Sequence, residues 1–177
     1  MKRVLVLVVL SLMVSVAMAQ KPATVPKKAA PAKSATSAKK TTQSNQTQQG
    51  FVDLGLPSGT LWKSSNEKGY FTYDQAMSRF GNKIPTKWQW QELISNCEWT
   101  WIGGCYKVVG KNGKSILLQA CGRIDDEGDL DRNDCGFYCS STLYNEDHTW
   151  RLGFSWNEVD VDWYDRNFGR TVRLVSY

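Results

Sequence analysis

Trp150-Arg151-Leu152-Gly153-Phe154-Ser155 and, beyond Asn157-Glu158, Val159-Asp160-Val161-Asp162-Trp163-Tyr164 are the residues that decide the fold. In the first run the apolar side chains fall on every second residue, the period of a strand with one buried face. Trp156 carries that series into the Asn157-Glu158 break. There the alternation restarts, with Asp160, Asp162 and Tyr164 on the opposite phase, as in a hairpin. After the turn residues Asp165 to Gly169, Arg170-Thr171-Val172-Arg173-Leu174-Val175 reads as a closing strand.

Working outward, Thr72 is placed to cap a helix running to Phe80 and stopped by Gly81-Asn82, and Thr86 to cap a second helix. On that second helix Trp90, Leu93 and Ile94 share a face and are expected in the core. Cys97–Ile102 and Cys105–Val109 read as strands around Gly103-Gly104. Lys111-Asn112-Gly113-Lys114 is a hairpin turn into the strand Ser115–Ala120, and Phe51 to Trp62 a first strand and turn around Pro57-Ser58-Gly59.

Four ordered motifs resemble a bacterial family, the Fibrobacter succinogenes major paralogous domain. They are Phe51-Val52-Asp53-Leu54-Gly55-Leu56-Pro57-Ser58-Gly59-Thr60-Leu61-Trp62, Ile84-Pro85-Thr86-Lys87-Trp88-Gln89-Trp90-Gln91-Glu92-Leu93, Gly136-Phe137-Tyr138-Cys139-Ser140-Ser141-Thr142 and Gly169-Arg170-Thr171-Val172-Arg173-Leu174-Val175. The resemblance spans residues 51–177. It implies an α+β, C-type-lectin-like domain with short twisted antiparallel sheets and two helices, in the branch that includes formylglycine-generating-enzyme-like domains.

Residues 1–19 have the three parts of a secretory signal peptide: Met1-Lys2-Arg3, the apolar run Val4 to Val16, and Ala17-Met18-Ala19. The run is too short for a transmembrane anchor. Residues 20–50 hold six lysines, no acid and no aromatic, a composition that cannot offset its ordering entropy and so reads as a disordered linker. Residues 51–177 carry 14 Lys and Arg against 17 Asp and Glu, so the chain's net +5 comes from the linker and the leader while the domain is acidic. The linker reads as a solvated spacer, although a basic arm also suits anionic polymers; nothing suggests specific nucleic-acid binding. The expected destination is the periplasm, the cell surface or the medium.

Export makes disulfides of the five cysteines plausible chemistry. Cys97 with Cys105, flanking a strand pair, is the first expected bridge, and Cys121 with Cys139 or Cys135 the second. The spacing Cys135-x-x-x-Cys139 has no second thiol pair or histidine for zinc. Asp125 to Asp134 is dense in carboxylates, and Asp129, Asp131 and Asn133 match the start of a calcium loop. Asp134 and Ser140 then stand where such a loop needs Gly and Glu, so a solvated loop is expected, with no metal and no cofactor. A thiol oxidase needs a low-pKa cysteine, and no basic residue adjoins Cys135 in Asn133-Asp134-Cys135-Gly136. His148, beside Asp147, is the one histidine available to Ser140 or Ser141, without a nucleophile elbow around them.

Against the family pattern, twelve C-terminal residues depart from the small polar or tyrosine residues of its members: Glu146, Asp147, His148, Trp150, Arg151, Trp156, Asn157, Asp160, Asp162, Trp163, Tyr164 and Asp165. They are the expected recognition surface, with Trp156 and Tyr164 the aromatics expected outside the core. The function expected is that of an exported, non-enzymatic module presenting a lectin-like face to a glycan or a protein. A cysteine-dependent enzyme and a structural envelope protein are the alternatives.

Overall fold

The computed structural model describes residues 50–177; the expected signal peptide and all of the expected linker but Gly50 lie outside the described residues. The described chain is α+β, with two α-helices and several short antiparallel sheets. Helix α1 (Tyr73–Phe80) starts at Thr72 and α2 (Lys87–Asn96) at Thr86. In both, the threonine hydroxyl accepts from the amide three residues on while a glutamine there reaches back to the cap amide. This reciprocal cap satisfies donors that a helix start otherwise leaves open. Neither is long and apolar enough to cross a membrane.

Strands β1 (Phe51–Asp53) and β2 (Leu61–Lys63) pair antiparallel. A second sheet is the meander β3 (Glu98–Trp101), β4 (Cys105–Val109) and β5 (Ser115–Gln119). A small hairpin, β6 (Arg123–Ile124) with β7 (Leu130–Asp131), follows. The C-terminal sheet is β8 (Gly136–Leu143), β9 (His148–Ser155) and β10 (Glu158–Asp165), in the order β10-β9-β8.

The expected closing strand is split. Gly169 to Thr171 bridge to Ile124, Phe71 and Tyr138, while β11 (Val175–Ser176) pairs with β2. The arginines of the run explain the break. Arg173 is fully buried and its guanidinium donates to Asn66 Oδ1 (2.9 Å), the Lys63 carbonyl (2.6 Å) and the Leu117 carbonyl, so it ties β2, a loop and β5 together as the chain crosses between sheets. Three acceptors on one desolvated cation offset its burial cost.

One core lies between α2 and the inner faces of the sheets: Trp62, Trp90, Leu93, Tyr106, Val108, Leu118, Tyr138, Leu152 and Phe154. Its rings meet in sequence, Trp62 tilted against Trp90 at 4.7 Å, Trp90 edge-on to Tyr138 at 5.8 Å, and Tyr138 stacked on Phe154 at 5.8 Å. Ile94 is only partly buried against it. A smaller core under α1 joins Phe71, Ala76, Ile84, Cys139, Val172 and Leu174.

All five cysteines are free thiols, so the expected bridges are corrected. Glu98 pairs with Val109 and Trp101 with Tyr106, which puts Cys97 and Cys105 at opposite ends of the β3–β4 pair. The separation is about 16 Å along the strands, far beyond a disulfide's reach. Gly122 bridges Gly136 in parallel, so Cys121 lies beside Cys135, roughly 13 Å along the strand from Cys139. The Cys135 and Cys121 thiols have different partners: Asp134 Oδ1 at 3.5 Å and Arg132 Nη2 at 3.8 Å for the first, the Thr171 hydroxyl for the second. Cys139 Sγ is sealed between the carbonyls of Phe71 (3.7 Å) and Arg170 (3.8 Å).

Candidate functional site

Because side chains alternate across a strand, the two faces of the C-terminal sheet hold different chemistry. The first face, with Trp150, Leu152 and Phe154 of β9, packs into the main core. The second is set by the register Cys139–Arg151–Asp162, Phe137–Gly153–Asp160 and Ser155–Glu158. Its Cys139 end is covered by the small core under α1. Its other end is open, an accessible cleft of about 300 Å³ floored by Phe137, Arg151 and Gly153, with Glu158, Asp160, Asp162 and Tyr164 along β10 and Arg123 and Arg132 facing them.

Most of the charged groups here are fixed. Arg151 is 8% exposed and donates twice to Asp162, Nε to Oδ1 at 2.8 Å and Nη2 to Oδ2 at 2.9 Å. Its guanidinium sits 4.5 Å from the Phe137 ring centre and 4.7 Å from that of Tyr164, between two π faces that favour a cation. Arg123 donates from Nε (3.1 Å) and Nη2 (2.9 Å) to Asp131 Oδ2 and lies over the rings of Tyr164 and Phe168. Beside them Arg170 is fully buried and donates to the Asp165 carbonyl. Burial, reinforced by the like charges of Arg151 and Arg123, lowers its pKa to about 10. Arg132 is exposed and holds φ at +52°, the one left-handed non-glycine among the described residues.

The twelve expected residues are thus not gathered on one surface. Arg151, Asp160, Asp162 and Tyr164 line the cleft. His148, Trp150 and Trp163 fall on a separate aromatic cluster: Trp163 stacks flat on Tyr144 (4.7 Å, 4°), His148 meets the Trp163 edge at 4.9 Å, and Lys87 Nζ lies 4.1 Å from the Trp150 ring centre. Trp156 and Asn157 form the β9–β10 hairpin tip, where Trp156 is 69% exposed rather than continuing the buried series. Glu146 and Asp147 lie in the β8–β9 loop and lend their carbonyls to Arg166, and Asp165 braces a turn through the Asn167 amide.

Cleft residues outside the twelve are Arg123, Arg132, Cys135, Phe137, Gly153, Phe154, Ser155 and Glu158. Glu158 was legible, since it is in phase with Asp160 and Asp162. Arg123 and Arg132 were not, because only the chain's return over β8 brings them there. The absence of a basic neighbour to Cys135 is also corrected, Arg132 being that neighbour in space. In the acidic loop Asp125 Oδ1 accepts the Glu127 and Asp129 amides and Asp131 holds Arg123, so these carboxylates serve the loop itself. Ser140 is buried, and His148 Nδ1 lies 3.0 Å from Asn145 Oδ1.

What the cleft offers is a set of fixed donors and acceptors beside aromatic planes, the equipment for orienting a polar ligand. No protein-family model matches the chain, and neither a curated protein nor a solved structure matches it.

Proposed function

We propose that the chain is an exported, non-enzymatic binding module of C-type-lectin-like fold that takes a glycan or protein ligand in the β8–β9–β10 cleft. The four motifs between residues 51 and 177 support the fold assignment, and the leader-like first nineteen residues support export. The observation that carries the function is the open half of one sheet face, where the Arg151–Asp162 and Arg123–Asp131 pairs and the rings of Phe137 and Tyr164 stand around a space of about 300 Å³. Charge-neutral pairs with spare lone pairs and N–H groups suit hydroxyl-rich ligands, so a glycan is the better supported class.

A glycan array and a pull-down from surface extracts test the reading. Tyr164→Ala is expected to lower the affinity of a confirmed ligand by about tenfold, the loss of one good aromatic contact. Trp163→Ala, in the aromatic cluster, is expected to leave it unchanged; the reverse pattern would move the site to that cluster. The contact of Arg132 with Cys135 favours a second reading, thiol chemistry at the cleft. Undiminished ligand binding by Cys135→Ser, with no turnover by the parent protein, rules that out.

A further inference from the structure

The buried side-chain polar atoms that lack a partner among the described residues are Trp62 Nε1, Arg151 Nη1, Arg166 Nε, Arg170 Nε and Arg170 Nη1. Every one is a donor; Arg151 Nη1 belongs to a residue that lines the cleft, and the two on Arg170 lie behind it, outside the cleft lining. Asp162 serves buried Arg151 and Asp131 serves part-buried Arg123, whereas fully buried Arg170 beside them has a backbone carbonyl and no carboxylate. One positive charge is left over. Exposed Arg132 adds another at the mouth, where its side-chain hydrogen-bond partner is the Cys135 sulfur at 3.8 Å.

The opposite wall is acidic. Glu158 and Asp160 are exposed on the edge strand β10, and Asp160 accepts only the amide of its neighbour Val161. The cleft is therefore polarised across its width, with excess donors and positive charge on one side and free carboxylate acceptors on the other. A polyanion would meet the acidic wall, and a neutral sugar would bring no anion to the unpartnered Arg151 Nη1 or to Arg132. A ring bearing one carboxylate and several hydroxyls satisfies both sides, and the volume suits a single ring.

The geometry points to a hexuronic acid, free or within a glycan, as the ligand of this cleft, its carboxylate toward Arg132 and the unpartnered Nη1 of Arg151 and its hydroxyls toward Asp160 and Glu158. This rests on the cleft being the glycan site and specifies which glycans enter it.

Titration calorimetry and ligand-observed NMR on the whole protein with D-glucuronate, D-glucose and the dipeptide Ala-Ala test it. Glucuronate is expected to bind about tenfold more tightly than glucose, because a site built around unpaired donors rejects the analogue lacking the matching acceptor. Arg132→Ala, at an exposed position, should erase most of that margin, and Arg132→Lys should restore part of it through charge alone. Equal affinity for glucose, tighter binding of Ala-Ala, an unchanged margin in Arg132→Ala, or no binding of any probe would each overturn the assignment. A neutral glycan that binds and is lost in Tyr164→Ala would sink the uronic acid and leave the glycan-binding reading standing. No array ligand together with no glucuronate binding would remove both.

Discussion

Strand β9 separates two regions with one backbone. Trp150, Leu152 and Phe154 enter the main core, while Arg151, Gly153 and Ser155 turn to the cleft. The first face is closed by α2 and the aromatic stack along its length; the second is closed only at its Cys139 end, where α1 stops. What distinguishes a packing residue from a recognition residue here is phase and cover, since adjacent positions on the same strand do opposite work.

The largest effect that would test this contrast is expected at Gly136. A Cβ there would fall 2.0 Å from the Phe154 ring, on the core side, so either β8 or a central core ring must move. Gly136→Ala is expected to cost about 3 kcal/mol, the upper range for overpacking, read from urea or thermal unfolding. A stable Gly136→Ala protein would mean that the first face is looser than its ring packing implies.

Next comes the ion pair that forms the cleft wall. Asp162→Ala leaves the buried Arg151 guanidinium without its carboxylate, an uncompensated charge beside two other arginines. Because the Asp162 side chain is 41% exposed, water reduces the penalty to about 1 to 2 kcal/mol. Adding Arg151→Met to Asp162→Ala should recover stability, since methionine needs no partner and can pack between Phe137 and Tyr164. A double variant no more stable than Asp162→Ala would show that Arg151 contributes more than its charge.

The covered end of the second face has its own test in Cys139, whose thiol burial pushes up to about 12 from its ordinary value near 9. The folded state then keeps a proton that the unfolded state releases, so this contribution is present below pH 9 and is lost as pH rises from 9 toward 12. Within that window the slope is about 1.4 kcal/mol per pH unit for one such group. Cys139→Ala should flatten the alkaline limb of the stability curve, and the native thiol should resist iodoacetamide until the protein unfolds. Alkylation of Cys139 in the folded protein would show that α1 opens readily.

Much of the local structure was legible because it is set by neighbours in sequence. Thr72 and Thr86 mark both helix starts, and the alternation through Trp150–Ser155 and Val159–Tyr164 fixes two strands and their faces. The site was only half legible. Phase distinguishes Arg151, Asp160, Asp162 and Tyr164 from their neighbours, but nothing local says that α1 would leave one end of their face open. Nor does spacing along β3 and β4 reveal that Cys97 and Cys105 end at opposite ends of the pair, or that Arg170 and Arg173, read as parts of a strand, are buried cations that break it. Those outcomes depend on contacts between residues far apart in the chain.

The smallest effect on stability, and the sharpest on the comparison, is expected at Gly153, one strand over from Gly136 and on the opposite face. Its Cβ would come no nearer than 3.8 Å to Asp162 Oδ1 and the Phe137 ring, an ordinary contact. Gly153→Ala should therefore fold at least as stably as the parent, gaining about 0.5 kcal/mol from the lost chain entropy of glycine in a strand. The added methyl would stand on the cleft floor, so a ligand that reaches the floor should bind several-fold more weakly to a protein that is no less stable. Loss of affinity without loss of stability would separate the working face from the packing face within one strand. Unchanged affinity would mean that the ligand rests on the Arg132 rim and never enters between Phe137 and Asp160, and the floor would then be scaffold like the core behind it.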